Sequence, residues 1–149
     1  MALLGGGVGG AGNPVGGSFT GPAEALEIIG DHAYAYSGTF EAKTSEQTMM
    51  SFTSGNFYTV GTFTFNGPVR LQFATAGAAA AYQISFNGQV VALGNVDTVT
   101  SNTPPNQNQL QQVVIPPYTE VKFVCQCEED TATELMTATY SGRIYRTRD

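Results

Sequence analysis

The sequence predicts an all-β protein, an antiparallel β-sandwich of the jelly-roll kind that is preceded by an extended Gly-rich arm. Eight or nine short segments alternate apolar and polar residues with a period of two, which is typical of strands with one face on a core. Turn residues separate these segments, and no long segment has the apolar period of a helix. Many short strands joined by turns favour a sandwich over the other fold classes.

Length and composition limit the domain count and the classes of partner. The chain has 149 residues, the length of one domain, and we divide it into an arm (1–22) and a body (23–149). Its net charge of -6 argues against nucleic-acid binding, which needs a basic surface. No apolar run reaches the roughly 20 residues of a membrane helix, and we expect no secretory signal. We therefore expect neither nucleic acid nor a membrane as a partner.

The arm is rich in glycine and has no charged residue. Nine of its 22 residues are glycine, and such chain is flexible in isolation. We predict that it becomes ordered on a neighbouring subunit; the alternative is a tail that folds back on its own domain. The glycine run does not follow a strand, open a helix or carry a lysine, so it does not match a phosphate-binding loop. The apolar residues predicted to make the contacts are Leu3, Leu4, Val8, Val15 and Phe19.

The first part of the body contains two predicted strands and one ambiguous segment. Residues 22–30 fit either a short helical turn or a strand, whereas 32–42 and 48–53 read as strands. The tripeptide Tyr-Ser-Gly at 36–38 recurs at 140–142, which suggests two strands in similar environments that are neighbours in one sheet. The residues predicted to share one face of the 32–42 strand are Tyr34, Tyr36, Gly38 and Phe40.

The middle of the chain carries the clearest turn signals. Residues 57–65 predict a strand, and Asn-Gly-Pro at 66–68 predicts a turn into the next one. Residues 82–86 alternate again, with Tyr82, Ile84 and Phe86 on one face. The following Asn87-Gly88 favours a type I′ hairpin, because both central positions of that turn need positive φ.

Two strands between residues 110 and 146 frame the predicted core. We treat them as a pair joined by an acidic loop and preceded by a Pro-Pro turn. The inward side of the first is predicted to consist of Val121, Phe123, Cys125 and Cys127. One side of the second is predicted to consist of Met136, Ala138, Tyr140, Gly142 and Ile144.

The cysteines and the single histidine do not form a convincing reactive site. Cys125 and Cys127 point to the core face, and a zinc site needs four ligands. Reduced cysteines that act as small apolar residues are the favoured interpretation; a metal site shared across a symmetry axis is the alternative. His32 and Asp31 are neighbours in sequence, so we expect them on opposite faces and unsuited to act together. We expect no enzymatic activity.

The acidic loop fits no metal-binding motif either. Glu128, Glu129, Asp130 and Glu134 do not have the spacing of an EF-hand, so a solvated turn is expected. We therefore expect no metal and no cofactor.

A long polar loop and an aromatic turn are candidate contact sites. Residues 98–112 are nearly uncharged and rich in Asn and Gln, and long loops in compact domains often make contacts. Among the aromatic residues, Tyr118 in a Pro-Pro-Tyr turn and Tyr58 are expected to be exposed. The candidate contact residues are Asn102, Asn106, Gln107, Asn108 and Tyr118.

Several segments resemble known families. The runs GTFTF (61–65), IPPYTEVKF (115–123) and ATYSGRIY (138–145), with the Asn-Gly hairpin, resemble trimeric jelly rolls of the tumour-necrosis-factor/C1q type. The uncharged Gly-rich start and the small acidic body are similar to head decoration (cement) proteins of tailed bacteriophages.

These resemblances imply a structural virion protein that stabilises the phage head through its arm and a trimeric body. The expected partners are the major capsid protein or other virion subunits and further copies of the chain. The expected location is the capsid exterior, after synthesis in the host cytoplasm. The alternative is a receptor- or carbohydrate-binding module at a phage tail or fibre tip, with the 98–112 loop and Tyr118 as its binding surface.

Overall fold

The computed structural model describes residues 23–70, 79–96 and 108–146, which form two antiparallel sheets packed against each other. The predicted all-β sandwich is confirmed. Its strands are β1 (Glu27–Ile29), β2 (His32–Tyr36), β3 (Phe40–Ala42), β4 (Gln47–Thr53), β5 (Phe57–Arg70), β6 (Ala80–Phe86), β7 (Gln89–Val96), β8 (Asn108–Ile115), β9 (Glu120–Cys127) and β10 (Thr131–Arg146).

The strand order is that of a jelly roll. One sheet has the order β1-β2-β10-β5-β8, with β3 also paired to β10, and the other has the order β4-β9-β6-β7. If β2 and β3 count as one interrupted strand, that strand pairs with β10. The other pairs are nested inside this one: β4 with β9, β5 with β8, and β6 with β7. This is a long hairpin wrapped into two sheets, so the jelly-roll prediction is also confirmed.

The core lies between the sheets and is mainly aromatic. Tyr82 and Phe123 of the four-stranded sheet stack with ring centroids 5.2 Å apart. Phe63 and Phe65 of β5 pack on Phe123 from the other sheet, each with centroids at 5.8 Å. The inward residues predicted on β9 and β10 are buried, except for Gly142, which is half-buried.

Two glycines make room for a buried tyrosine in the six-stranded sheet. Gly61 of β5 pairs with Gly142 of β10. A Cβ atom on Gly61 would lie 2.8 Å from the hydroxyl oxygen of Tyr140 and 2.5 Å from the Cα of Gly142. The Tyr140 hydroxyl forms a 2.5 Å hydrogen bond with that of Thr59. The aromatic-Gly pattern in these strands therefore reflects a close approach in the core.

The expected pairing of the last two strands is wrong, and the face that the β2 tyrosines share is the outer one. β9 and β10 lie in different sheets, because the loop between them crosses the sandwich. On β2 the buried residues are Ala33 and Ala35, whereas Tyr34 is half-buried and Tyr36 is exposed. A period of two gives the alternation but not which set faces inward. The two Tyr-Ser-Gly strands are neighbours, as predicted, but their tyrosines occupy different environments.

One of the two predicted turns is present and the other is absent. Residues 66–68 do not turn the chain; β5 continues through them, and the register against β10 shifts there. Such a bulge accommodates glycine and proline within a strand. The ambiguous 22–30 segment contains the short strand β1. The Asn-Gly hairpin is confirmed, with φ of 52° at Asn87 and 83° at Gly88.

Candidate interaction surfaces

The outer face of the six-stranded sheet carries mostly uncharged side chains, and the exception on its central strand β10 is Arg143. Residues opposite each other on neighbouring strands point to the same side, and the register places Tyr34, Ser141, Thr62 and Gln112 in one row. The next row on one side, which ends at Leu110, has no charge either, whereas the row on the other side places Arg143 beside Val60. We call this surface the uncharged face, and its residues are Tyr34, Tyr36, Tyr58, Val60, Thr62, Thr64, Leu110, Gln112, Val114, Thr139 and Ser141.

Large apolar side chains on the uncharged face are open to solvent. Leu110 is 62% exposed, Val114 52% and Val60 46%. Val60 and Val114 lie opposite each other on β5 and β8 and line a shallow depression of about 400 Å³. Aliphatic and tyrosine side chains without charge are typical of the centre of a protein interface.

The charged residues beside the uncharged face are partly paired. Glu27 lies opposite Tyr34 at one margin, whereas Arg143 lies on the central strand opposite Val60. The Arg143 guanidinium is 2.7 Å from a carboxylate oxygen of Asp31. Because Arg143 already has this partner, a contact that covers the face need not bury an unpaired charge.

The sequence interpretation did not select the apolar residues of the uncharged face. A signal was present, because residues 57–65 and 108–115 contain no charge on either side of their strands. Strand register was needed to show that Val60, Leu110 and Val114 lie on one surface.

Tyr118 projects from a turn held by backbone and hydroxyl hydrogen bonds. It is 70% exposed, as predicted, and has a φ of 53°. Its N–H donates to the carbonyl of Gly55 at 2.9 Å. The Ser54 hydroxyl donates to the carbonyl of Pro116 at 2.7 Å and accepts from the N–H of Thr119 at 2.9 Å. The ring is thus an exposed aromatic group on a fixed turn.

Among the other candidate contact residues, the structure describes Asn108, which is not brought together with Tyr118. Asn102, Asn106 and Gln107 lie outside the described residues. Asn108 begins β8, and Tyr118 follows the opposite end of that strand. The seven residue steps of β8 separate the two ends by about 23 Å. Tyr58, the second tyrosine expected to be exposed, is exposed and belongs to the uncharged face.

The start of the body is fixed to the edge of the four-stranded sheet. The predicted arm contacts Leu3, Leu4, Val8, Val15 and Phe19 lie outside the described residues. Ala23 is fully buried and bridges Met50 of β4 in parallel. Its N–H donates to the Met49 carbonyl at 3.1 Å, and its carbonyl accepts from the Ser51 N–H at 2.9 Å. The body therefore holds the residue next to the arm firmly.

The two cysteines lie in the core beside a methionine from the opposite sheet. The Sγ atoms of Cys125 and Cys127 are 3.9 and 3.6 Å from Met136 Sδ. Burial, with a smaller effect of Cys127, raises the pKa of Cys125 to about 12. Burial also raises the pKa of Cys127. Both thiols stay protonated at neutral pH, which is the state of a packing residue and not of a nucleophile.

His32 and Asp31 do approach each other, contrary to expectation. His32 Nε2 is 3.4 Å from Asp31 Oδ1, because Asp31 lies in the turn before β2 and not in the strand. Both side chains are more than half exposed, and Asp31 is shared with Arg143. The group is a surface ion-pair cluster, open to water, rather than a shielded acid–base pair.

The acidic loop is exposed except for Glu134, which lies in β10 and is buried, so its assignment to a solvated turn is wrong. The Thr44 N–H donates to Asp130 at 2.6 Å, and hydrogen bonds from Thr44 lower the pKa of that carboxyl group. Glu128 accepts from the Ala79 N–H at 3.3 Å. Among the described residues, no three His, Cys, Asp or Glu side chains are grouped to hold a metal ion.

Comparisons with known proteins give no relative. No protein-family model matches the chain, and no curated protein matches it. In the part of the chain that the structure describes, no helix has the length and apolar character needed to cross a bilayer. We therefore infer the function from the surfaces of the chain itself.

Proposed function

We propose that the chain is a non-enzymatic structural subunit of a virion, a decoration (cement) protein that binds the exterior of a phage head. Its body would associate with further copies, as a trimer, and its arm would contact the major capsid protein or neighbouring virion subunits. Many weak contacts of this kind add up, because each contact makes the next one effectively intramolecular.

The observation that carries this proposal is the uncharged face. In a chain of net charge -6, eleven outward residues without a charge, grouped around the Asp31-paired Arg143, mark a surface suited to burial between subunits. Exposed apolar groups such as Val60 and Leu110 gain roughly 25 cal/mol for each Å² of apolar surface that a partner covers.

The fixed start of the body supports a role for the arm. Ordering a Gly-rich segment costs about 1–2 kcal/mol per residue in backbone entropy. Because Ala23 is buried and hydrogen-bonded to β4, the arm starts from a fixed point on the body. Burial of the five apolar arm residues on the capsid would then offset the entropy lost when the arm becomes ordered.

Reconstitution on virus heads tests the proposal. Heads that lack this chain would be incubated with the full chain, with a chain lacking residues 1–22, or with a full-length chain in which Leu3, Leu4, Val8, Val15 and Phe19 are all Ser. We expect only the unaltered chain to bind at high occupancy and to raise the temperature at which heads rupture.

The serine-substituted chain is the matched control for arm length and flexibility. Circular dichroism would check that both altered chains remain folded. Equal binding by all three chains would refute the role of the arm. Failure of the unaltered chain to bind heads would refute the decoration function itself.

A second candidate is a receptor- or carbohydrate-binding module at a tail or fibre tip. It is favoured by the fixed, 70% exposed ring of Tyr118, since sugars stack on exposed aromatic rings. Binding of the isolated chain to a glycan array, abolished by Tyr118→Ala and retained by Tyr118→Phe, would support it. Absence of glycan and host-cell binding by the unaltered chain would exclude it.

A further inference from the structure

Three sulfur atoms from the two sheets meet inside the sandwich. Cys125 and Cys127 are the only cysteines of the chain, and both are buried residues of β9. Met136 of β10 approaches them from the opposite sheet, with its Sδ atom 3.9 Å from Cys125 Sγ and 3.6 Å from Cys127 Sγ. We call these three side chains the sulfur cluster.

The spacing of the sulfur cluster suits ligands of one metal ion. At a metal–sulfur distance of about 2.3 Å, as in zinc thiolates, three sulfurs arranged trigonally around an ion lie about 4 Å from each other. The distances of 3.9 and 3.6 Å from Met136 Sδ to the two thiols are close to that separation. The thioether therefore already lies at a ligand-to-ligand distance from each thiol.

The chemistry of the donor atoms selects soft monovalent ions. Thiol and thioether sulfurs together are typical ligands of Cu(I), whereas Ca²⁺ and Mg²⁺ prefer oxygen. A structural zinc site needs four ligands, and among the described residues no three His, Cys, Asp or Glu side chains are grouped. Charge favours a monovalent ion as well, because a single thiolate neutralises it and a neutral complex avoids the cost of burying a net charge.

We propose that the sulfur cluster is a binding site for a soft monovalent ion, Cu(I) or Ag(I), held by Cys125, Cys127 and Met136. The ion replaces the proton of one thiol, which passes to solvent, while the second thiol and the thioether donate as neutral ligands. This departs from the absence of a metal expected from the sequence, because only the packing of the two sheets brings Met136 to the thiols. The site is independent of the proposed attachment to heads.

The position of Cys127 gives an ion a short route to the cluster. Cys127 is the last residue of β9 and one of the residues that line an open depression of about 280 Å³. Ala79, Ala81 and the acidic Glu128 also line this depression. A carboxylate beside the opening favours the approach of a cation over that of an anion.

An ion in the sulfur cluster would link the two sheets. β9 belongs to the four-stranded sheet and β10 to the six-stranded sheet. A ligand that binds the folded chain more tightly than the unfolded chain raises the stability of the fold. The unfolded chain keeps the Cys-x-Cys pair, but it does not hold Met136 beside the two thiols. The thioether should therefore make the folded chain the tighter binder.

Titration of the full chain with copper tests the site. Cu(I) would be added without oxygen, in competition with a chromophoric Cu(I) chelator, and X-ray absorption would count the sulfur neighbours of the bound ion. The test variants are Met136→Leu, which nearly conserves apolar volume, and the double variant Cys125→Ala/Cys127→Ala. Met50→Leu, at another buried methionine that lies opposite Phe123 in the register, is the matched control.

We expect the unaltered chain and Met50→Leu to bind one Cu(I) ion with three sulfur neighbours and to unfold at a higher temperature when loaded. Met136→Leu should bind Cu(I) at least tenfold more weakly and with two sulfur neighbours, and the double cysteine variant should lose the site. An excess of Zn²⁺ should not displace Cu(I). Circular dichroism would confirm that all variants remain folded.

The inference is overturned if the unaltered chain binds Cu(I) no more tightly than the double cysteine variant. It is also overturned if Met136→Leu keeps the full affinity and three sulfur neighbours, or if Cu(I) lowers the unfolding temperature of the unaltered chain, which would show that the unfolded chain is the tighter binder. None of these outcomes bears on attachment to heads, which is measured in a separate experiment.

Discussion

The two outer faces of the sandwich differ in charge although both belong to one small domain. The six-stranded sheet presents the uncharged face, where tyrosine, threonine and aliphatic residues surround one charged side chain, Arg143, which is paired with Asp31. The four-stranded sheet presents Glu120, Lys122 and Gln126 from its central strand β9, all exposed. Charged groups keep a surface wet, because their desolvation is costly. The contrast indicates which face of the sandwich is suited to contact and which to solvent.

The inner sides of the two sheets also differ. The six-stranded sheet depends on the close pairing of Gly61 and Gly142 beside the hydroxyl of Tyr140. The four-stranded sheet packs through the stacked rings of Tyr82 and Phe123 and through its cysteines. The six-stranded sheet should therefore be less tolerant of small changes, and paired substitutions can measure that difference.

The largest difference is expected for glycine substitutions. On Gly61→Ala, the new Cβ would overlap the Ser141 carbonyl oxygen and crowd the Gly142 Cα, both backbone atoms. On Gly94→Ala in β7, the nearest atoms to the new Cβ would belong to the Tyr82 side chain, with the hydroxyl oxygen at 2.7 Å. We expect Gly61→Ala to lower the free energy of unfolding by about 3 kcal/mol and Gly94→Ala by about 1 kcal/mol. Urea denaturation measures both, and equal losses would contradict the difference between the sheets.

The buried hydroxyl pair gives the next effect. Tyr140→Phe leaves the Thr59 hydroxyl without its partner in the core, which should cost about 2 kcal/mol. Tyr82→Phe loses a part-buried bond from Gln111 and should cost about 1 kcal/mol. Adding Thr59→Val to Tyr140→Phe should recover most of the loss, because an unpaired polar group is removed. No recovery in the denaturation midpoint would show that the hydroxyl pair is not the cause.

Alkaline pH should lower the free energy of unfolding mainly through a buried thiol of the four-stranded sheet. Burial raises the pKa of Cys125 from 9.0 to about 12. The unfolded state therefore loses its thiol proton first, and stability is constant below pH 9 and falls between pH 9 and 12. The expected slope for this thiol is up to about 1.4 kcal/mol per pH unit. Cys125→Ala should reduce the slope measured by denaturation across this range, whereas an unchanged slope would refute the assignment.

The pKa of Tyr140 is raised as well, so this residue also contributes to the alkaline loss of stability and needs its own control. Burial raises its pKa above 10.0, against a smaller lowering by the Thr59 hydrogen bond. Tyr140→Phe should remove a separate part of the alkaline loss. The two substitutions together should flatten the profile more than either alone.

Much of the fold could be predicted from local patterns, and the remainder depended on contacts distant in sequence. The Asn87-Gly88 turn and the inward set on β9 follow from local geometry and period, and both are confirmed. The facing of β2 could not be predicted, because the choice between Ala35 and Tyr36 as the inward residue depends on the strands beside it. The turn expected at 66–68 was wrong because pairing with β10 continues past the bulge.

The candidate surfaces were harder to predict than the core. A core residue is marked by its own apolar period, whereas the uncharged face combines residues 34–36, 58–64, 110–114 and 139–141 from four strands. Only the register of those strands shows that they lie on one surface. The arm contacts and loop residues 102, 106 and 107 lie outside the described residues and remain predictions.

The smallest expected effect separates stability from assembly. Arg143→Gln removes the 2.7 Å cationic partner of Asp31 within the uncharged face, and Lys43→Gln removes a 3.5 Å partner of Glu41 elsewhere. Both ion pairs are exposed, so each substitution should change the free energy of unfolding by less than about 1 kcal/mol. If the uncharged face meets another copy, only Arg143→Gln leaves a carboxylate charge beside the contact. Self-association should then weaken severalfold at low salt and recover in 0.5 M salt, because screening shortens the range of that charge to a few ångströms. Equal sedimentation of the two variants at low salt would place the contact between copies away from Asp31.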